Sequence, residues 1–332
     1  MTLSEAIEAF RLDLGIRRSR HTVEAYTTAL RHFEAFFTET YQPAHQMPVT
    51  SLSPDMALSF VRWLQANHPV SPATLDNYIT AINRFYRWLL LEAKASFAAA
   101  DYARLQERLA DIRGRRPPRP LPRLPAEEAV QALVKAAYEV PLPADPNTPQ
   151  GRRATLRRLR NIALIEALRS SGARVGEIVA LRRGDLDYER QAAVVTGKGR
   201  KQRRIYFDDR AWAALTHYLR VRQDGASGRS LASLPLFARH DRGAGNQILP
   251  VTTNTVRAAI EELCHLAGLD ESITPHLLRH RFATGVLSAT HDLAVTQDLL
   301  GHASPTTTRI YTRLTAEDIE EAHREAREQG KI

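Results

Sequence analysis

Apolar positions recur at helical spacing along most of the chain, and short polar breaks separate the runs. Ser4 to Leu14 forms a short amphipathic segment, and Arg17-Arg18-Ser19-Arg20 is a basic break after it. His21 to Thr38 then sets Val23, Tyr26, Leu30, Phe33 and Phe37 on one helical face. Ser53-Pro54 opens a third helix through Trp63 and Leu64. Ser71-Pro72 opens a fourth, carrying Leu75, Tyr78, Ile79, Ile82, Phe85 and Leu89. In each pair the serine suits the N-cap, and the proline suits the first turn, where its missing N–H is not needed. The pattern predicts a small all-helical domain over 1–95 with the aromatic stripe as its core. Over 96–125 an Ala-rich helical stretch gives way to R-G-R-R-P-P-R-P-L-P-R-L-P. Prolines remove backbone donors and keep a chain extended, so this segment reads as a linker.

A second domain is expected over 126–332. A helix runs from Ala126 through Tyr138, and the Pro-rich stretch Pro141 to Gly151 reads as a surface loop. Arg152 to Ser170 is helical. In the following S-S-G-A-R-V-G-E-I, Gly172 suits a left-handed helix end, with Arg174 at the corner and a second helix over Val175 to Leu181. Ala192 to Thr196 and Arg203 to Phe207 are β-like runs flanking Gly197-Lys198-Gly199-Arg200, a hairpin. Helices follow at 209–222, 253–267 and 275–289. Thr274 and Pro275 supply an N-cap and first helical residue, which places His276 and Arg279, three apart, on one face. Gly301 ends another helix, His302 follows it, and Ser304-Pro305 opens a segment carrying Tyr311. The fold class is therefore mainly α with a small β-hairpin or sheet, in two domains.

Charge sharpens this picture. The 332 residues carry a formal net charge of +9. The excess is concentrated: five arginines lie in Arg113 to Arg123, five in Arg152 to Arg160, and two lysines with three arginines in Lys198 to Arg204, none of these segments holding an acid. Clustered Arg and Lys release condensed counterions from a polyanion, so the composition favours nucleic acid as partner. No apolar run is long enough for a membrane span, no secretory signal opens the chain, and the lone Cys264 suits a cytoplasmic, reducing setting.

The pair H-x-x-R at His276 and Arg279, L-G-H at His302 and the following Tyr311 resemble the tyrosine recombinase (phage integrase) family. The corner A-R-V-G-E and the hairpin G-K-G-R-K-Q-R extend the resemblance, and S-R-H-T-V-E-A-Y-T-T-A-L-R-H-F resembles its N-terminal core-binding domain. Carried over, the catalytic set is Arg174, Lys198, His276, Arg279, His302 and Tyr311. Glu177 would orient Arg174. Arg84, Arg87, Arg115, Arg116, Arg200 and Lys201 are candidate DNA contacts. The helical segment starting near residue 1 leaves no room for the arm-binding domain of lambda-type integrases, which points to a Xer-like member. Arg281 stands where the family commonly has Thr or Ser.

The chemistry of these residue types agrees. Phosphoryl transfer needs an in-line nucleophile, a clamp on the nonbridging oxygens and a proton donor for the leaving oxygen. Arg174 and Arg279 suit the clamp, being planar, permanently charged and bidentate toward phosphate. Tyr311 suits the nucleophile, and nearby cations favour its phenolate. Lys198 suits the acid, since lysine can lose a proton and arginine cannot; two of only five lysines sit in this hairpin. His276 would accept the tyrosine proton or bridge to a phosphate oxygen, and His302 would donate to a nonbridging oxygen. The resemblance implies cleavage and rejoining of double-stranded DNA at specific recombination sites. The route runs through a 3′-phosphotyrosyl link and a Holliday junction, in a tetramer on synapsed DNA, with no cofactor, metal or ATP. The C-terminal stretch Leu314 to Gly330 is expected to be a helix. Two rivals stand beside this reading: a non-catalytic DNA-binding regulator on the same fold, and a metal-dependent hydrolase using His276, His280 and His302.

Overall fold

The computed structural model describes residues 1–18, 20–114, 124–197, 201–224, 230–245 and 247–301. The chain divides into two compact units, Met1–Arg119 and Pro120–Ile332. Both are mainly helical, and the second also holds a small three-stranded sheet. Among the described residues no helix is long and apolar enough to cross a membrane.

The first unit contains α1 (Leu3–Arg17), α2 (Arg20–Thr40), α3 (Pro54–Asn67), α4 (Pro72–Leu91) and α5 (Ala99–Gly114). Thr2 starts α1 with a capping box: its hydroxyl accepts the Glu5 N–H, and the Glu5 carboxylate accepts the Thr2 N–H. Ser71 caps α4 by accepting the Thr74 N–H at 3.2 Å. The aromatic stripe is core. Phe33 is fully buried, with ring centroids 4.8 Å from Phe37 and 5.1 Å from Phe60. Buried Tyr86 satisfies its hydroxyl by donating to the Ser53 carbonyl at 3.0 Å.

The Ala-rich start of the expected linker is helical, as the sequence predicts, but it belongs to the first core rather than to a linker. Ala99–Gly114 is a helix whose Tyr102, Leu105 and Leu109 are buried in the first core. Their i, i+3, i+7 spacing is the helical stripe that packs it there. Arg84 and Arg87 are exposed on α4, with the Arg84 guanidinium 5.8 Å from the Tyr26 ring centroid. Arg115 and Arg116 lie outside the described residues.

The second unit is built on α7 (Pro149–Ser171), which packs against α6 (Glu127–Glu139), α9 (Asp209–Arg222) and α11 (Pro275–Thr290). From Ile162 to Leu168 α7 is buried on every side, Glu166 included. That carboxylate is held by Arg169 at 2.8 Å and Arg210 at 3.1 Å, which pay back its lost hydration. The helix begins three residues before the expected start, because the Thr148 hydroxyl accepts the Gly151 N–H at 3.0 Å and Pro149 fits the first turn. The arginine run along it is not one solvated face. Arg152 and Arg157 are exposed, but Arg160 is only 4% exposed and donates to Asn161 Oδ1 at 2.7 Å.

After α7 come α8 (Val175–Ala180) and the antiparallel sheet β1 (Leu186–Asp187), β2 (Ala192–Thr196) and β3 (Gln202–Tyr206), in that order. Ala193, Val195 and Ile205 face the core, as period-two alternation requires. Then α10 (Thr253–Leu266), α11 and α12 (Leu293–Leu300) complete the described part. Arg281 on α11 pairs with Glu127 at 2.8 Å and donates to the Pro125 carbonyl at 3.2 Å, fixing the entry to α6.

Gly172 ends α7 at φ 58°, and a Cβ there would lie 2.2 Å from the Phe282 ring. Left-handed strain and the clash act together, so Gly172→Ala should destabilise the second unit by about 1–3 kcal/mol or more. Urea unfolding followed by tryptophan fluorescence checks this, and an unchanged midpoint would contradict it.

Candidate active site

The site grows from the α7–α8 corner. With α7 stopped at Gly172, buried Ala173 leads to Arg174 at the N-cap of α8. Glu177, three residues on, reaches back: its carboxylate accepts the Arg174 backbone N–H at 2.8 Å and Arg174 Nη1 at 2.9 Å. The rest of the Arg174 guanidinium stays open, its side chain 44% exposed, while the Glu177 carboxylate is buried. The expected orienting contact between Glu177 and Arg174 is thus present as geometry.

A second guanidinium meets the same carboxylate. Arg203, on β3, donates Nη1 and Nη2 to Glu177 Oε1 and Oε2, both at 2.8 Å. Its Nε donates to the Leu299 carbonyl at 3.0 Å, in the last turn of α12. Burial alone would push the Glu177 carboxyl up. Hydrogen bonds from Arg203 and the Arg174 backbone, the Arg203 charge and the Arg174 side-chain hydrogen bond outweigh that and hold it at about 2.

Thr274 starts α11 by accepting the Leu277 N–H at 3.2 Å, with Pro275 in the first turn, as the sequence predicts. His276 is exposed. Arg279, one turn on, is only 3% exposed and donates Nη1 to the Gly172 carbonyl at 2.7 Å and Nη2 to the Leu300 carbonyl at 2.8 Å. It therefore ties α11 to the corner that carries Arg174 and to the end of α12. Gly301, left-handed at φ 63°, terminates that helix.

Three sequence-chosen residues, Arg174, Glu177 and Arg279, are thus brought to one corner, and His276 lies one turn before Arg279 on α11. Lys198, Arg200, His302 and Tyr311 lie outside the described residues, as does the stretch expected to form the C-terminal helix. Lys201 is exposed, and its carbonyl accepts the Gly197 N–H at 2.8 Å at the base of the hairpin. His280 is buried in α11; burial, then the neighbouring His276, lowers its pKa, which suits a packed neutral ring. Among the described residues no group of three or more His, Cys, Asp or Glu side chains could hold a metal ion.

Arg203 was not singled out from sequence, where it was grouped with the phosphate-facing cluster. A signal existed: it shares strand parity with Ile205, so an alternating strand aims it inward rather than at solvent.

Residues 147–318 match the "Phage integrase family", and residues 7–93 match "Phage integrase, N-terminal SAM-like domain". Tyrosine recombinase XerC of Xanthomonas campestris pv. campestris is 32% identical over 333 residues, covering 99% of this chain and 90% of the relative. Tyrosine recombinase XerC of Listeria innocua is 31% identical over 309 residues, covering 92% and 91%. Among solved structures, the Tn1549 transposon integrase in complex with transposon right end DNA aligns with a TM-score of 0.68 at 15% identity, covering 98% of this chain and 99% of that one. XerH site-specific recombinase bound to difH substrate aligns at 0.65 and 22% identity, covering 91% and 78%. Both share the fold. The chain belongs to the phage integrase family, and within it to the Xer-like tyrosine recombinases.

The depressed Glu177 carboxyl has a definite pH signature. Its folded value lies below the ordinary 4.5, so its stabilisation is complete above that value and is lost as pH falls toward about 2. The shift is worth roughly 3 kcal/mol. In Glu177→Gln this acid-sensitive component is gone. The stability gap between wild type and variant, measured by urea unfolding, should shrink steadily from pH 4.5 toward 2. A gap that stays constant over that window would refute the assignment.

Proposed function

We infer that this protein is a site-specific DNA recombinase that breaks and rejoins DNA strands through a covalent tyrosine intermediate. The observation that carries it is the gathering of Arg174 and Arg279 about one corner, with Arg279 bonded to the Gly172 carbonyl two residues before Arg174. Two permanently charged guanidiniums at one spot form a clamp for a phosphate dianion-like transition state.

In this reading the Tyr311 oxygen attacks the scissile phosphorus. The P–O5′ bond breaks, and Lys198 gives its proton to the departing 5′ oxygen. His276 takes the phenol proton or bridges to a phosphate oxygen, and His302 donates to a nonbridging oxygen. Arg174 and Arg279 balance the charge that builds on the phosphoryl oxygens, with Glu177 keeping Arg174 in place. The product is a 3′-phosphotyrosyl link and a free 5′-OH. That hydroxyl of one strand then attacks the link of the partner strand, giving a Holliday junction and regenerating the phenol. Each step exchanges one phosphodiester for another, so no ATP is consumed.

Residues 1–95, extended by α5, serve as the core-binding domain, with Arg84 and Arg87 toward DNA. The basic linker, with Arg115 and Arg116, follows the backbone, Arg200 and Lys201 contact DNA from the hairpin, and residues 126–332 carry catalysis. Four copies act on two synapsed double-stranded sites in the cytoplasm. The metal-hydrolase and binding-only alternatives gain no support: the relatives are recombinases, and His276 and His280 are one exposed and one buried.

Duplexes selected by the protein from a random-sequence pool, then nicked near the bound centre, provide the test. Wild type should form a denaturant-resistant protein–DNA adduct whose yield a chelator leaves unchanged. Tyr311→Phe should form none while binding the same duplex within a few-fold. Adducts from the Phe variant, or none from wild type on any selected duplex, would overturn the reading.

A further inference from the structure

We propose that Arg203 is a positioning residue, locking both the hairpin that carries Lys198 and the end of α12 that leads to His302 onto the Glu177–Arg174 corner. The proposal rests on the recombinase reading above and adds a residue that reading does not assign.

Three contacts converge on this side chain. Two of its nitrogens grip the Glu177 carboxylate, each at 2.8 Å, and the third donates to the Leu299 carbonyl at 3.0 Å. The last carbonyls of a helix have no partners within it. Here Arg203 takes Leu299, and Arg279 takes Leu300. Two guanidiniums thus hold the end of α12, two residues before His302.

The stem of Arg203 fits the same place. A Cβ on Gly301 would lie 2.8 Å from Arg203 Cδ, so the helix end and the arginine stem are in close apposition. On the hairpin side, a Cβ on Gly197 would lie 3.3 Å from Glu177 Oε1 and 4.0 Å from Arg203 Nη1. The residue next to Lys198 is therefore seated against the same ion pair. Glu177 is the shared node: it accepts from Arg174 on one side and from Arg203 on the other.

Lysine cannot replace this arrangement. One ammonium has no planar fork with which to hold both carboxylate oxygens and a carbonyl at fixed angles. A buried ion pair also adds little net stability compared with apolar packing of the same volume, and its better-attested use is to fix geometry. A role in placing Lys198 makes a claim that bare stabilisation does not. Loss of Arg203 should impair proton delivery to the leaving oxygen more than any other part of the reaction.

The test uses full-length protein and the nicked duplexes described above, in two forms that differ only in the bridging atom at the 5′ side of the scissile phosphate. One form has oxygen there and the other sulfur. A thiol has a pKa near 8.5, so a thiolate departs without a proton donor, whereas an alkoxide needs one. Lys198→Ala provides the reference pattern. Arg203→Gln and Arg203→Lys are expected to slow adduct formation about 100-fold on the oxygen substrate and only a few-fold on the sulfur substrate, with duplex affinity unchanged. The lysine variant keeps the charge and supplies the measurement should the glutamine variant fold poorly.

Equal slowing on both substrates, or no slowing on either, would remove Arg203 from this role while leaving the Tyr311 chemistry intact. Absence of adduct from wild type on both substrates, or adduct from Tyr311→Phe, would bring down the recombinase reading and this proposal with it.

Discussion

The carboxylate of Glu177 is the point on which the described part of the site depends. Arg174 and Arg203 carry like charges and are drawn to within hydrogen-bonding distance of the same side chain. Without an anion between them, their repulsion and lost hydration would drive them apart. With it, each guanidinium is oriented and keeps part of its donor set for other work. Arg203 spends one donor on a helix carbonyl, while Arg174 remains largely open to solvent. One shared acid lowers the electrostatic cost of gathering two guanidiniums at one corner.

Much of this was legible in the chain because local rules and the fold agree. The helix starts at Ser71 and Thr274, the left-handed ends at Gly172 and Gly301, and the two alternating strands all follow from residue type at particular positions. What escaped was decided elsewhere. For the Ala-rich helix Ala99–Gly114 it was membership of the first core, because its apolar stripe is thin and only burial against other helices brings it in. Strand β1 is two residues long and exists only because β2 lies beside it. Arg203 looked like one more member of a basic cluster. Its inward direction follows from strand parity, but its partner lies 26 positions away on another element.

Net charge proved a coarser guide than its total suggests. Several arginines are interior fittings rather than surface charge. Arg222 donates to the Leu236 carbonyl at 2.7 Å and, with Arg183, pairs with Asp224. Arg160 is buried beside Asn161, and Arg203 and Arg279 grip backbone carbonyls. Guanidinium suits such posts because it is weakly hydrated and offers five donors in a plane. The field presented to a polyanion therefore comes from the remaining arginines, and a count of basic residues in a window overstates it.

Arg281, at a position where Thr or Ser is common in the family, gives the second unit a particular mechanical layout. Its guanidinium grasps Pro125 and Glu127, where the polypeptide emerges from the proline-rich connector, and its backbone sits two residues beyond Arg279. The start of α6 and the middle of α11 therefore share one anchor, so replacing this single side chain would loosen both at once.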